Sequence, residues 1–354
     1  ITLRYRDGWK IDMLKIRSHS VLDDSSETLF AQALDEFSRK VWRRKRSRKQ
    51  YRYDLAILVD PQEKLPPSNK RALQRFIAAG NSLGIDCELI TRRDYPRLPE
   101  YDGLFIRATT AINHFTYRFA KRAELEGMAV IDDPTSMLRC TNKIYLADLF
   151  RINRVPSPKT VVLHKGAARQ VEQLEARLDY PMVLKIPDGS FSLGVERANG
   201  RKELQEILRR LFRQSTLLLA QEFLYTEYDW RIGVLDNRPI YACRYYMVRN
   251  HWQIYQHGAS KTASGDFDTL PACDAPRTVV DAAVKASRPI GNGLYGVDVK
   301  ERGGVGYVIE VNDNPSIDSG VEDKFLGNSL YTQIIQNIIE RIEDLRQTRY
   351  VSRF

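Results

Sequence analysis

Residues 295–315, YGVDVKERGGVGYVIEVNDNP, contain the pattern that decides the fold. Two runs rich in strand-forming residues flank the turn-forming sequence ERGGVG, and this arrangement predicts an antiparallel hairpin. A hairpin that folds about Gly304 brings Asp298 opposite Glu310. Because side chains alternate along a strand, Glu310 and Asn312 then share one face. The hairpin therefore gathers three oxygen-bearing side chains at one end of a strand pair.

These three side chains have the chemistry of a magnesium site. Carboxylate and amide oxygens are suitable ligands for a Mg²⁺ ion that bridges phosphates. The same alternation places Ile309 and Val311 on the opposite face of the hairpin. An exposed hairpin with a polar face would show the same pattern, so the hairpin alone leaves both interpretations open.

A second segment, YPMVLKIPDGSFSLGV at 180–195, has the composition of a phosphate-binding loop. Lys185 ends an apolar strand, and a flexible backbone beside a lysine and hydroxyl groups can surround phosphates with N–H groups. The sequence is not a Walker A loop, and an ordinary strand–turn–strand explains it equally well. The small residues of the loop are Gly189, Ser190, Ser192 and Gly194.

A third segment, LLLAQEFLYTEYDWRIGV at 217–234, has the features of a nucleotide-binding strand end. Backbone N–H and C=O groups at such an end can bind an adenine edge, and a carboxylate can hold a ribose hydroxyl. A strand that leaves the core with polar residues at its tip is the alternative. The candidate residues are Gln221, Glu222, Phe223, Leu224, Asp229 and Arg231.

The 354 residues are too many for one ordinary domain, and strands alternate with helices over 51–135. This alternation predicts a small parallel sheet flanked by helices. No run of 18 apolar residues is present, and the first ten residues lack the apolar stretch of a signal peptide. The four cysteines form no CxxC pair, which argues against a zinc module or a disulfide framework and favours the cytoplasm.

The positive charge is concentrated in one segment. The formal net charge is +10, and residues 39–52, RKVWRRKRSRKQYR, hold nine Lys and Arg and no acidic residue. Such a run can bind nucleic acid or an acidic peptide. A charge run of this kind is more often a solvated linker or helix face.

The order of these features along the chain resembles the ATP-grasp superfamily and, within it, the RimK-like carboxylate–amine (glutamate) ligases. Lys143 opens a helix, Lys185 ends a strand, QEFL follows, and an Asp and an ExN motif close the series. The stretch 308–323, VIEVNDNPSIDSGVED, is similar to the EVNxxPG-type metal motif of those enzymes. The resemblance covers about 51–345 and is strongest to members with an extra RimK-like ATP-grasp region at the N-terminus.

The resemblance implies a role for each matching residue. Lys143 and Lys185 match lysines that contact the phosphates of ATP. The loop with Gly189, Ser190, Ser192 and Gly194 matches the loop that closes over those phosphates, although the family usually has a glycine where Ser192 lies. The remaining implied contacts are Gln221, Glu222, Phe223 and Leu224 to adenine, Asp229 to ribose, Asp298, Glu310 and Asn312 to Mg²⁺, Arg231 and Arg244 to the γ-phosphate or acyl phosphate, and Asn314 to the bound carboxylate.

The resemblance also implies an architecture. The fold class is α/β, with α+β in the ATP-grasp part, where ATP lies between two α+β lobes and a small parallel α/β domain precedes them. The implied parts are a basic segment at 1–50 that forms the tail of an N-terminal region, the α/β domain at 51–135, a small lobe with the phosphate loop at 136–220, and a large lobe with the Mg²⁺ site and C-terminal helix at 221–354.

The implied function is an ATP-dependent ligase that forms an amide or peptide bond through an acyl phosphate. The cofactors are ATP and one or two Mg²⁺ ions, with Mn²⁺ as a substitute. The implied substrates are an amino acid, with glutamate favoured, and a peptide, protein or small molecule, and the enzyme can form a homo-oligomer. The alternative is an ATP-binding regulatory module, or a ribosome- or nucleic-acid-associated module that uses 39–52.

The acceptor site is the part that the sequence constrains least. The segment 247–270 lies where the family shapes this site, and Pro315 is followed by Ser316 where the family has glycine. Arg249, His257 and Lys261 are therefore substrate candidates. Each can equally be an exposed loop residue.

Overall fold

The computed structural model describes residues 2–5, 9–13, 23–39, 51–166, 170–188, 194–247, 255–257 and 262–351. The chain divides into two compact units, Ile1–Gln50 and Tyr51–Phe354. In the first unit, strands β1 (Thr2–Tyr5) and β2 (Trp9–Met13) pair antiparallel, and helix α1 follows over Asp24–Arg39. Most of the basic segment, residues 40–50, lies outside the described residues.

The second unit begins with a four-stranded parallel sheet. Its strands are β3 (Tyr53–Leu58), β4 (Ile85–Ile90), β5 (Gly103–Ile106) and β6 (Ala129–Ile131), in the spatial order β4-β3-β5-β6. The helices of this part are α2 (Lys70–Leu83), a 3-10 helix over Arg92–Glu100 and α3 (Phe115–Leu125). The alternation in the sequence predicted this parallel sheet, and the structure confirms it.

A four-stranded antiparallel sheet follows. Helices α4 (Pro134–Thr141) and α5 (Lys143–Ile152) lead into it. Its elements are β7 (Thr160–His164), α6 (Gln170–Glu175), β8 (Met182–Lys185), β9 (Val195–Ala198), α7 (Arg201–Leu211) and β10 (Leu217–Glu222), with strand order β7-β10-β8-β9.

The last part of the unit is built on a five-stranded antiparallel sheet. Its strands are β11 (Tyr228–Leu235), β12 (Arg238–Tyr246), β15 (Phe267–Leu270), β16 (Leu294–Arg302) and β17 (Val305–Asn312), in the order β15-β12-β11-β16-β17. The remaining elements are the pair β13 (Tyr255–His257) and β14 (Thr262–Ser264), a 3-10 helix over Ala272–Asp274, α8 (Arg277–Ser287) and α9 (Asn328–Val351).

Helix α9 closes the hydrophobic core of the second unit. Its apolar face is buried and packs in one cluster with the parallel sheet, α2 and the strand end at Leu235 and Leu294. Core packing thus accounts for the apolar residues of this helix. The buried side chains of α9 are Leu330, Tyr331, Ile334, Ile335, Ile338, Ile339 and Ile342.

The hairpin β16–β17 has the predicted register and one feature that the sequence did not predict. Asp298 lies opposite Glu310, and the turn at Gly303 and Gly304 has positive φ angles of 59° and 75°, which favour glycine. The register shifts after Asp298, so that Val299 pairs with Val308. Ile309 is therefore the extra residue of a β-bulge, and it lines the cleft described below.

The sequence predicts no membrane-spanning helix and no disulfide framework. None of the helices among the described residues is long and apolar enough to cross a membrane. All four cysteines are free; Cys87, Cys140 and Cys243 are buried, and Cys273 is exposed.

Candidate functional site

A cleft with a volume of about 320 Å³ lies where the two antiparallel sheets and the loops after β5 and β17 meet. Most of the residues selected from the sequence line it. Those residues are Lys143, Lys185, Gln221, Glu222, Phe223, Leu224, Asp229, Arg231, Asp298, Glu310, Asn312 and Asn314.

The three candidate metal ligands come together as the hairpin predicted. Asn312 Nδ2 lies 3.2 Å from Asp298 Oδ2, and Glu310 is the cross-strand partner of Asp298. Each carboxylate is held by a cation. Arg231 binds Asp298 through two parallel hydrogen bonds of 2.6 and 2.9 Å, and Lys143 Nζ lies 2.8 Å from Glu310 Oε1.

This donor set suits a magnesium ion that shares its coordination with phosphates. Burial raises the pKa of Asp298, with Arg231 opposing the shift, because a desolvated carboxylate disfavours its charge. A hard divalent cation would offset that cost. Among the described residues no group of three His, Cys, Asp or Glu side chains can hold a metal by itself. Two carboxylates and an amide fit Mg²⁺, which usually keeps water and substrate phosphate ligands.

Two lysines face the same space from the other wall. Lys143 is the first residue of α5, and Asn142 caps that helix by accepting hydrogen bonds of 3.0 Å from the N–H groups of Ile144 and Tyr145. Lys185 is the last residue of β8. Its Nζ donates to Gln221 Oε1 at 2.6 Å, so the lysine is held against the end of β10.

The charge of Lys185 is weakened by its surroundings. Burial lowers the pKa of its ammonium to about 8, and the nearby Lys143 and Lys300 add to the shift, while Glu310 and Asp229 oppose it. A third lysine therefore takes part in the electrostatics of this wall. Lys300 was not selected from the sequence, although it lies two residues after Asp298 and lines the cleft.

Lys300 pairs with the residue predicted to bind ribose. Its Nζ contacts the Asp229 carboxylate and lies 2.8 Å from Thr226 Oγ1, and both charged side chains are less than a fifth exposed. Thr226 also donates to Asp229 at 2.9 Å. The spacing DVK in strand β16 put Lys300 on the face of Asp298, and this was the signal available in the sequence.

The predicted adenine-binding residues lie at the end of β10 and directly after it. Glu222 exchanges hydrogen bonds with Lys159: its N–H donates to the Lys159 carbonyl at 2.9 Å, and its carboxylate accepts from the Lys159 N–H at 3.3 Å. The ring of Phe223 lies under the guanidinium of Arg197 at 5.3 Å, and Leu224 is buried.

The predicted phosphate loop lies largely outside the described residues. Gly189, Ser190 and Ser192 belong to the part of the chain that the structure does not describe. Gly194 is described, and it has a φ angle of 71°. A Cβ at this position would lie 2.9 Å from Ile186 Cδ1, so both the backbone angle and the space favour glycine here.

The structure does not bring Arg244 to the cleft, which corrects its selection as a phosphate ligand. Arg244 pairs with Trp230 across β11 and β12, whereas Arg231 pairs with Cys243 and with Asp298. Neighbouring residues of a strand point to opposite faces, so Arg244 points away from Arg231. Its guanidinium lies over the rings of Trp230 and Tyr228 and binds the carboxylate of Asp268.

Asn314 lines the cleft, but its side-chain amide is engaged by the protein. Its Oδ1 accepts a hydrogen bond of 2.8 Å from Arg107, and its Nδ2 donates to the Ala108 carbonyl at 2.6 Å. Arg107 is 1% exposed and also donates to the carbonyls of Pro67 and Pro315. Burial lowers the pKa of Arg107 to about 10. This arginine joins the end of β5 to the chain that follows β17.

Asp313, beside the candidate metal ligand Asn312, was not selected from the sequence. It lines the cleft although it is only 7% exposed. Burial raises its pKa to about 6, with a hydrogen bond from Thr110 opposing the shift. Nothing in the sequence pattern distinguished this carboxylate from the exposed acids of other loops.

The acceptor candidates remain predictions. Arg249 and Lys261 lie outside the described residues, and His257 is described only as the last residue of strand β13.

Comparisons with known proteins identify the family of this chain. The family described as D-ala D-ala ligase C-terminus matches residues 149–338, which is more than half of the chain. The probable alpha-L-glutamate ligase 2 of Pseudoalteromonas atlantica is 22% identical over 293 residues, which cover 77% of this chain and 92% of that protein. The alpha-aminoadipate–LysW ligase LysX of Saccharolobus solfataricus is 27% identical over 257 residues, covering 68% of this chain and 88% of LysX.

A solved structure shows the same fold. The D-alanine–D-alanine ligase of Bacillus anthracis complexed with ATP superposes with a TM-score of 0.63 at 15% identity, covering 84% of this chain and 99% of that one. The resemblance stated from the sequence, to the ATP-grasp superfamily and its RimK-like members, is thus confirmed. The chain belongs to the D-ala D-ala ligase C-terminus family and is an ATP-grasp ligase, an enzyme that forms a carbon–nitrogen bond.

Proposed function

We propose that this ligase activates a carboxylate as an acyl phosphate with ATP and joins it to the amine of an amino acid, with glutamate favoured. The observation that carries the proposal is the single cleft in which Asp298, Glu310 and Asn312 face Lys143 and Lys185. Such a site places oxygen ligands for a metal beside cations that can neutralise phosphates. Phosphoryl transfer needs both, because its catalysis is mostly positioning and charge stabilisation.

We assign each part of the nucleotide to a different group of residues in the cleft. Adenine lies at the strand end formed by Gln221 to Leu224, and Asp229 with its partner Lys300 lies near the ribose. Lys143 and Lys185 contact the phosphates, each as a compact charge on a flexible stem. Asp298, Glu310 and Asn312 hold Mg²⁺, which when bound neutralises phosphate charge and helps to align the transferred group.

The chain's own residues support two bond-forming steps. In the first, a substrate carboxylate oxygen attacks the γ-phosphorus, the bond to the β-phosphate oxygen breaks, and ADP leaves. In the second, an amine nitrogen that has first given up its ammonium proton attacks the acyl carbon, phosphate leaves, and the nitrogen loses a second proton. Arg231 can bind the transferred phosphoryl oxygens bidentately once it leaves Asp298, because its fork already has that geometry.

The substrate assignment rests on the relatives. One is named as a glutamate ligase, and LysX is named as a ligase of alpha-aminoadipate and LysW. Both names specify an amino acid as a substrate, and the name of LysX also specifies a second molecule, LysW. We therefore assign to this chain an amino acid and an acceptor that is a peptide, a protein or a small molecule, with the reaction in the cytoplasm.

The test is ADP release with Mg-ATP in the presence of each of the twenty amino acids, alone and with short peptides, followed by mass spectrometry of the products. We expect one amino acid to stimulate ADP release and to give a product heavier by its residue mass. The Asp298→Asn variant is the inactive control. ADP release without any heavier product would contradict the ligase assignment and indicate a nucleotidase.

A further inference from the structure

One carboxylate of the cleft has no role in the nucleotide assignment above. Asp313 follows the metal-ligand candidate Asn312 and is only 7% exposed, yet it contributes to the cleft wall. Its Oδ2 is fully buried and has no hydrogen-bond partner among the described residues. Such a group is costly, because a buried carboxylate needs a donor or a cation to replace the lost water.

The surroundings of Asp313 are those of a cation-binding site. Asp133 and Glu310 are the charged groups with the largest effect on Asp313, and Asp313 in turn acts on Asp132, which is 3% exposed. These three neighbours are acidic and, although Lys143 pairs with Glu310 and Arg341 acts on Asp132, they favour a positive charge beside Asp313. The hydroxyl of Thr110 donates a hydrogen bond to the carboxylate of Asp313.

Three cations of the cleft are paired with other carboxylates, and a fourth, Lys185, donates to the side-chain amide of Gln221. Arg231 binds Asp298, Lys143 binds Glu310, and Lys300 binds Asp229. These pairs lie along the part of the cleft assigned to the nucleotide and its metal. One wall of the cleft is formed by Asp313, Thr109, Thr110 and Ala111. It carries a negative charge, whereas the wall assigned to the phosphates carries the cations, although both belong to one continuous cleft.

We propose that Asp313 binds the ammonium group of the amine-bearing substrate. This inference rests on the proposed function and adds the group that recognises one of its two substrates. An ammonium ion has three donors and one positive charge, so it would satisfy the unpartnered Oδ2 once the carboxylate turns toward the cleft, and it would balance the acidic wall. The assignment restricts the amine substrate to compounds that carry a free ammonium group, such as an amino acid with an unmodified α-amine.

The experiment measures equilibrium binding, so that it does not depend on turnover. The full chain is saturated with Mg²⁺ and the non-hydrolysable analogue AMP-PNP, and saturation-transfer NMR measures the affinity for each of the twenty amino acids and for its N-acetyl derivative. We expect at least one amino acid to bind wild type at least tenfold more tightly than its N-acetyl form. Asp313→Asn should bind both forms equally while its AMP-PNP affinity stays within twofold of wild type.

Asp236→Asn is the matched control, because it removes one carboxylate at the β11–β12 turn, away from the cleft. It should keep the wild-type preference. Asp313→Ser serves as a second variant if Asp313→Asn is unfolded in thermal melts. A preference retained in a folded Asp313 variant, or absent in wild type, overturns the proposal. So does a loss of Mg²⁺-dependent AMP-PNP affinity in Asp313→Asn, which would assign this carboxylate to the metal.

Binding and ligation measured side by side also distinguish a failure of the ammonium site from a failure of the proposed ligation. Discrimination between free and acetylated amines without any ligated product leaves the ammonium site standing and removes the ligation chemistry. Ligation that is insensitive to Asp313→Asn removes the ammonium site and leaves the ligation chemistry standing.

Discussion

Lys185 keeps its ammonium group in surroundings that disfavour charge, and its pKa of about 8 makes the site sensitive to pH. The group is charged below this pH and loses its proton as the pH rises through 8. Between pH 7 and pH 9 its protonated fraction falls about tenfold. We expect the affinity for AMP-PNP to fall by a similar factor over this range, measured by calorimetric titration.

The matched variant is Lys185→Met, which has a similar length and no charge. It should bind AMP-PNP weakly at both pH values and show a flat profile. An unchanged slope in this variant would assign the pH dependence to another group.

The carboxylate of Asp298 gives a second prediction for a single side chain. Asp298→Asn keeps the shape of the side chain and removes the charge that the metal and Arg231 both use. ADP formation should fall below one-thousandth of the wild-type rate, while circular dichroism and the melting curve show a folded protein. Substantial turnover in this variant would remove Asp298 from the metal site.

Individual side chains also show where sequence reasoning fails. Lys185 was selected because it ends an apolar strand that the sequence marks, whereas Lys143 was selected through the resemblance to the ATP-grasp enzymes. Arg244 was misplaced because the face of a strand depends on register, and a shift of one residue moves a side chain to the other face. The pairing of Lys300 with Asp229 joins two strands 71 residues apart along the chain, and a single sequence holds no signal for it.

At the scale of elements, the hairpin β16–β17 was predictable almost completely. The glycine turn and the two-residue period together fix which residues face each other, and the observed pairing of Asp298 with Glu310 confirms them. The bulge at Ile309 was not predictable, because an extra residue in one strand leaves the composition of both strands unchanged. The bulge turns an apolar side chain toward the cleft.

The packing of helix α9 against the core leads to a prediction about stability. Ile335 is 0% exposed and packs in the cluster shared with α2 and the parallel sheet. Ile335→Ala removes three carbons and leaves a cavity, so it should lower the free energy of unfolding by about 2–5 kcal/mol. Urea denaturation followed by fluorescence measures the change.

Gln333→Ala is the control on the same helix, since Gln333 is exposed. It should change the free energy of unfolding by less than about 0.5 kcal/mol. A loss as small as this in Ile335→Ala would mean that α9 contributes little to the core. A homo-oligomer would instead make the unfolding midpoint of wild type depend on protein concentration.

At the scale of the whole molecule, the residues of the cleft all belong to the unit Tyr51–Phe354. A chain limited to 51–354 should therefore fold and bind AMP-PNP with an affinity within twofold of the full chain. Calorimetric titration of both chains checks this. A truncated chain that melts cooperatively but binds more than tenfold more weakly would show that residues 1–50 contribute to the site.

The same truncation removes 13 of the 55 Lys and Arg and 7 of the 45 acidic residues, so the net charge falls from +10 to +4. Nine Lys and Arg of residues 39–52 account for nearly all of the net charge of +10, and Arg52 alone of these nine remains in the truncated chain. Composition revealed this asymmetry directly, because charge can be counted without knowing the fold. What the segment binds depends on its surroundings, and the sequence favoured a solvated linker or helix face while leaving nucleic acid and an acidic peptide as alternatives.

The paired cations of the cleft have a consequence for the order of events. Arg231 and Lys143 neutralise the two carboxylates that the metal would use, so a metal ion alone meets ligands that are already compensated. A nucleotide without its metal would draw the two cations away and leave both carboxylates uncompensated. When metal and nucleotide bind together, the metal would take the place of Arg231 and Lys143 at the two carboxylates, and the phosphates would become the partners of the two cations. Thermodynamic coupling of this kind is reciprocal, so the metal should raise the affinity for the nucleotide and the nucleotide should raise the affinity for the metal by the same factor.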